Sequence, residues 1–122
     1  MKRILVVDDQ IDIQEILADF LRNSGYIVEA CSNGIQAAQK IKEKTFSLII
    51  TDLMMPKGDG FSFIANTNGR LETPVLVMTG GSNFEKYKTK IETLQNAGYL
   101  ILRKPFSKDE LEKVVKKLLK EV

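Results

Sequence analysis

Histidine is absent from the 122 residues, and Cys31 is the lone cysteine. The first absence removes the Ser-His-Asp triad, a histidine general base and nearly every transition-metal site. The second removes an internal disulfide and any cysteine cluster that could hold zinc. Long apolar runs are missing too. The run at 4–7 meets Asp8 and Asp9, far short of a signal-peptide core or a membrane span, so a cytoplasmic location without membrane contact is the expectation. Neither sign of charge dominates: 18 Lys and Arg against 16 Asp and Glu leave a net +2. The lysines of 40–44, 86–90 and 108–120 are interleaved with glutamates, as on solvated helix faces, so direct nucleic-acid binding is not expected. Chemistry is thereby left to carboxylates, lysine, hydroxyls and hard, oxygen-seeking cations.

With 43% hydrophobic and 28% charged residues, the chain reads as one globular domain over 1–122 that can build a core without staples. No internal repeat, low-complexity segment or linker interrupts it. Short β-like runs alternate with amphipathic helical stretches five times. Strands are expected at 4–7, 26–31, 46–51, 75–78 and 99–102; the first and third are almost wholly apolar, as in strands buried on both faces. Ile13, Ile16, Leu17, Phe20 and Leu21 recur at helical spacing before Gly25. Asn33 and Gly34 open a helix with Ile35, Ala38 and Ile41 on one face. A short helix is expected at 61–68, after the loop marked by Pro56, Gly58 and Gly60. Residues 80–83 read as a flexible turn ahead of the helical face Phe84, Tyr87, Ile91 and Leu94. Ser107 and Glu110 form a capping box for a last helix carrying Leu111, Val114, Val115, Leu118 and Leu119. Strands joined by helices must pair in parallel, with helices over both faces: an α/β fold.

Open α/β sheets gather ligand chemistry outside the carboxyl ends of their strands. At those ends stand Asp8 and Asp9, Asp52, Thr79 and Lys104. Three clustered carboxylates repel one another unless a cation binds among them, and oxygen-only ligands favour Mg²⁺. A metal-neutralised carboxylate beside a lysine suits attack on a phosphoryl group and stabilisation of its charge. Taken singly, each residue has a structural reading. Asp9 caps a helix, Asp52 braces a loop, Thr79 is a turn hydroxyl, Lys104 a solvated lysine, Pro105 a helix-entry proline. Their joint fall at the same end of successive strands favours metal-assisted phosphoryl transfer. Met54 and Met55 read as packing.

The segments Val6-Val7-Asp8-Asp9, Asp52-Leu53-Met54-Met55-Pro56 with Gly60, Met78-Thr79-Gly80 and Lys104-Pro105-Phe106 follow in a specific order and spacing. Asn33-Gly34 with Ala37-Ala38 adds to them. On these residues the chain resembles the receiver domains of two-component response regulators over essentially its whole length. The resemblance implies a doubly wound five-stranded parallel sheet in the flavodoxin-like order 2-1-3-4-5, with five helices. It implies that Asp52 is the phospho-acceptor. Asp9, Asp52 and the main-chain carbonyl of Met54 would ligate Mg²⁺ directly, and Asp8 largely through water. Lys104 would pair with the phosphoryl oxygens or, before phosphorylation, with Asp52, and the Lys104–Pro105 bond would be cis. Thr79, Gly80, Gly81 and Ile101 fall at the positions of the switch. The donor would be the phosphohistidine of a histidine kinase or histidine phosphotransfer protein, since this chain has no histidine. The output partner stays open. The module would catalyse its own phosphorylation and dephosphorylation and turn over no external substrate.

Two departures stand out. Where the family carries Tyr or Phe three residues before the lysine, this chain has Ile101; the stretch 98–104 is a residue short, so Tyr99 does not slide into place. Gly80 replaces the commoner Ala. Met54 and Gly81, two residues beyond Asp52 and Thr79, fall where side chains govern water access to the phosphoryl group. Three rivals are weaker. A haloacid-dehalogenase-like phosphohydrolase wants Asp-x-Asp after the first strand, and a flavin-binding protein wants a Ser/Thr-rich loop there. A pseudo-receiver that is never phosphorylated fits poorly with the retained acids and Lys104.

Overall fold

Residues 2–53, 73–80 and 85–121 are described by a computed structural model. Runs of Ile, Leu and Val build the strands, whose side chains alternate between the two faces of the sheet. They are β1 (Arg3–Val7), β2 (Ile27–Cys31), β3 (Leu48–Asp52), β4 (Val75–Gly80) and β5 (Leu100–Lys104). All pair in parallel in the order β2-β1-β3-β4-β5, the topology the resemblance implied. Between them run α1 (Ile11–Asn23), α2 (Gly34–Glu43), α3 (Lys88–Asn96) and α4 (Lys108–Leu118), the four helices among the described residues. The helix expected at 61–68 lies outside those residues, as do Met54, Pro56, Gly58, Gly60 and Gly81.

The alternation divides the core in two. Ile4, Val6, Leu48, Ile50, Leu76 and Met78 face α1 and α4, where Leu17, Leu21, Leu111 and Val115 meet them. Leu5, Val7, Ile49, Val75 and Val77 face Ala37 of α2 and Ile91 and Leu94 of α3. Each such side chain, fully buried, contributes about 1.5–3 kcal/mol relative to exposure. Register then aligns the strand ends: Val7 lies beside Cys31 and Thr51, Thr51 beside Val77, and Val77 beside Ile101.

Four local expectations change. In α2 the buried residues are Gly34 and Ala37, while Ile35 is 66% exposed and Ala38 exposed. Small residues on the inner face let the helix backbone approach the sheet, and the larger Ile35 is turned outward. In α1, Ile16 is 47% exposed and Ala18 takes its place in the core. β3 begins at Leu48, two residues after Phe46, although Phe46 is buried. β4 and β5 each run two residues further than expected, because Thr79 pairs with Arg103 and Gly80 with Lys104. Gly80 is therefore a strand residue and not part of a turn.

The helix ends follow their local chemistry. Asn33 caps α2, its Oδ1 accepting from the Gln36 amide at 2.9 Å. The Ser107 hydroxyl accepts from the Glu110 amide at 3.1 Å, and the Glu110 carboxylate accepts from the Ser107 amide at 3.4 Å. After α1, Gly25 turns the chain at φ +95°, a conformation that any side chain would strain.

At the β2 edge one carboxylate serves three cations. Glu29 lies 3.5 Å from Arg3, 3.3 Å from Lys40 and 2.9 Å from Lys44, binding the last turn of α2 to the sheet. The hydrogen bond from Lys44 holds the Glu29 carboxyl below its ordinary value, with Lys40 adding to the effect against the opposing pull of burial. A depressed acid stabilises the fold above its unfolded pKa and loses that contribution as pH falls through its folded pKa. Glu29→Gln should cost about 1 kcal/mol at pH 7, since all three cations are partly solvated. The deficit should shrink as pH is lowered from 7 and vanish once Glu29 is protonated in the folded state, as read by urea unfolding over a descending pH series.

Candidate functional site

Asp8 follows β1 directly and is fully buried. Its amide donates to the Cys31 carbonyl at 3.1 Å, and its Oδ1 accepts from the Gln10 amide at 2.9 Å. Its Oδ2 accepts from Lys104 Nζ at 2.9 Å. Asp52 ends β3 and Lys104 ends β5; they approach at 3.4 Å. Period-two alternation explains the convergence. Asp8, Asp52 and Lys104 continue the rows Ile4–Val6, Leu48–Ile50 and Leu100–Leu102, which belong to the α1 and α4 face. Lys104 thus lies nearer Asp8 than Asp52, where the resemblance had paired it with Asp52.

Asp9 completes the cluster. Oxygens of Asp8, Asp9 and Asp52 all lie within 4.8 Å of one another, with Asp8 buried, Asp9 exposed and Asp52 between. The N-cap of α1 is Gln10, without a side-chain cap, so capping does not account for Asp9. Three carboxylates against one ammonium leave a deficit of two positive charges. An all-oxygen donor set with that deficit fits a hard divalent cation such as Mg²⁺.

Electrostatics record the crowding. Burial pushes the Asp52 carboxyl up to about 6; Lys104 opposes that, while Asp8 and Asp9 add to it. Burial would lower Lys104, but its hydrogen bond to Asp8 and the charges of Asp52 and Asp8 outweigh that and raise it.

Thr79 and Ile101 belong by alternation to the opposite face. Thr79 is buried, and its hydroxyl makes one long 3.5 Å contact to the Gly80 carbonyl. Ile101 is half-buried in the cluster that also takes in Tyr87 and Tyr99. The Lys104–Pro105 peptide is cis. Met54 and Gly81 lie outside the described residues. Sequence reasoning missed Gln14, whose amide reaches the Asp8 carbonyl at 2.6 Å. A neutral polar residue between Ile13 and Glu15 on a helix carries no signal of such a contact.

The fold and the acid–lysine cluster at the carboxyl edge of the sheet define a flavodoxin-like phosphoryl-transfer module of the receiver type. Comparison with known proteins agrees. The family described as "Response regulator receiver domain" matches residues 4–116, and the chain belongs to that family. It is 37% identical over 110 residues to the transcriptional regulatory protein ZraR of Klebsiella oxytoca, covering 89% of this chain and 24% of that one. To the CpxR homolog of Haemophilus influenzae it is 31% identical over 121 residues, covering 98% and 51%. The chain thus spans about half or less of the curated relatives it matches. Among solved structures, response regulator TrrA from Thermotoga maritima, in complex with Mg²⁺ and BeF, superposes with TM-score 0.82 at 31% identity, covering 97% and 99%. NtrX from Brucella abortus gives 0.85 at 27% identity, covering 98% and 27%. The protein is accordingly a receiver domain of the two-component type, a module of phosphorylation-dependent signalling. Among the described residues no helix is long and apolar enough to cross a membrane.

Two substitutions separate the roles of charge here. Lys104→Met strands the fully buried Asp8 and should lower stability in EDTA by about 3 kcal/mol. Asp9→Ala removes one of three like charges and should raise it by about 1 kcal/mol. Added Mg²⁺ should shrink the second gain, because the cation favours the wild-type folded state. Urea unfolding with and without Mg²⁺ reads both, and a metal-free loss in Asp9→Ala would contradict the repulsion.

Proposed function

We propose that Asp52 is the phospho-acceptor of a single receiver domain over 1–122 that works in the cytoplasm. One observation carries the assignment. Asp8 is fully buried with both oxygens engaged, and Asp9 is exposed without contact to Lys104. Asp52 alone of the three combines contact with Lys104 and an open oxygen: its side chain is 13% exposed, and Oδ1 has no hydrogen bond among the described residues. That oxygen forms the new P–O bond as the P–N bond of a partner's phosphohistidine breaks, leaving an acyl phosphate on Asp52. Lys104 then neutralises negative charge on the phosphoryl oxygens.

Asp9 and Asp52, with the main-chain carbonyl of Met54, would hold Mg²⁺, and Asp8 would act through water. When bound, Mg²⁺ supplies Lewis-acid stabilisation of phosphoryl charge. The donor is a histidine kinase or histidine phosphotransfer protein, since the chain contains no histidine. An apolar groove of about 460 Å³ beside Lys104, lined by Ile13, Ile16, Phe20, Pro105 and Phe106, supports docking of a protein donor. Catalysis by the domain itself is confined to gain and loss of its own phosphoryl group, and the phosphorylated face then meets an output partner.

Incubation with acetyl phosphate and Mg²⁺ should add one acid-labile phosphoryl group by mass spectrometry, and Asp52→Asn should abolish it. Phosphorylation of the mutant at the wild-type rate would move the acceptor elsewhere. Switching is assigned to Thr79, Gly80 and Gly81. Ile101, β-branched and packed against the core cluster of Val75, Val77, Ile91 and Leu94, keeps its rotamer. Beryllofluoride should therefore shift the backbone amide signals from residue 80 onward while the Ile101 methyl signals move little. The reverse pattern would overturn this account of the switch.

A further inference from the structure

We infer that Gln14 is a positioning residue for the cation site, setting Asp9 by holding the main chain of Asp8. The inference rests on the reading of Asp9 as a ligand of Mg²⁺. Asp9 is exposed and makes no side-chain hydrogen bond among the described residues. Its place therefore depends on the backbone that precedes it. That backbone is fastened at three points. The Asp8 amide donates to the Cys31 carbonyl at 3.1 Å, the Asp8 carboxylate accepts from the Gln10 amide at 2.9 Å, and the Asp8 carbonyl accepts from Gln14 Nε2 at 2.6 Å. The third is the shortest, and it acts on the peptide unit that joins Asp8 to Asp9.

Gln14 reaches further. The same Nε2 lies 3.2 Å from the Cys31 carbonyl and 3.2 Å from Ser32 Oγ. Two of its three neighbours are carbonyl oxygens that can only accept, so the amide must present its nitrogen to them. One N–H serves Asp8 and the other is shared between Cys31 and Ser32. Beyond them the Ser32 amide donates to Gln36 Oε1 at 2.8 Å, in the first turn of α2. A polar strap thus runs from α1 across the carboxyl ends of β1 and β2 to α2. The α1 backbone cannot hold the Asp8 carbonyl in its place: the first helical bond runs from the Gln14 amide to the Gln10 carbonyl, two residues later. Among the described residues, only a side chain reaching back from the helix holds that carbonyl.

Outer groups that orient metal ligands shift affinity about 10–100-fold when removed. Calorimetric titration of Mg²⁺ should therefore show Gln14→Leu binding about tenfold more weakly than wild type. Gln14→Asn keeps an amide but withdraws it by one methylene, and should weaken binding in the same direction. It stays polar, and so tests the idea even if Gln14→Leu fails to fold. Ala18→Gly, a buried substitution on the same helix, should lower stability while leaving Mg²⁺ affinity within about twofold. In metal-free protein the Asp9 amide should show faster hydrogen exchange in Gln14→Leu than in Ala18→Gly. Wild-type affinity in Gln14→Asn, or equal losses in Gln14→Leu and Ala18→Gly, would overturn the inference. A wild-type protein that binds no Mg²⁺ would instead overturn the reading of the cation site.

Discussion

A carboxylate with no exposure to water requires a countercharge, and Lys104 supplies it to Asp8 at 2.9 Å from the far side of the sheet. The rest of the upper edge is arranged around that pair. β4 and β5 continue to Gly80 and Lys104, and this extension places the lysine as the last rigid residue of its strand. The strand order puts β3 and β4 between the two partners, so the lysine passes Asp52 on its way to Asp8. The lysine that neutralises buried Asp8 thereby also brings its charge to Asp52. Stability and chemistry share one residue.

α1 carries the remaining burden on its several sides. Leu17, Ala18 and Leu21 belong to the core, Gln14 straps the ends of β1 and β2, and Ile13, Ile16 and Phe20 line the groove beside Lys104. A helix serving only the core would show one apolar stripe. Here the apolar arc is wider than the sheet can bury, and the excess is the exposed Ile16 and Ile11, at 47% and 56%.

This is also where the sequence misleads. Strand positions were legible because fully buried parallel strands are continuous apolar runs, whereas the order of strands came only through the family resemblance that the motifs carry. The site acids and Lys104 were legible for the same reason, since each terminates such a run. Helix faces were harder. Ile16 and Ile35 read as core by hydrophobicity alone, yet both face out, because two small residues, Ala18 and Ala37, allow closer approach to the sheet. Strand ends were underestimated at Thr79, Gly80 and Lys104, whose polarity or smallness hid their pairing. Gln14 could not be read at all, because two of its three partners are main-chain carbonyls, which leave no trace in residue identity.

The absence of histidine closes the logic of the site. On the proposed reading of Asp52 as acceptor, a domain with no histidine of its own receives its phosphoryl group from outside, and that carboxylate has to stay reachable. The three acids grade accordingly: Asp8 is sealed, Asp52 is 13% exposed, and Asp9 is open to solvent. Sealing Asp52 as Asp8 is sealed would strengthen the Lys104 pairing but block the donor; exposing it as Asp9 is exposed would forfeit the lysine. Burial that raises its carboxyl to about 6 records that compromise. A divalent cation held by Asp8, Asp9 and Asp52 would relieve it, because two added charges match the deficit that Lys104 leaves.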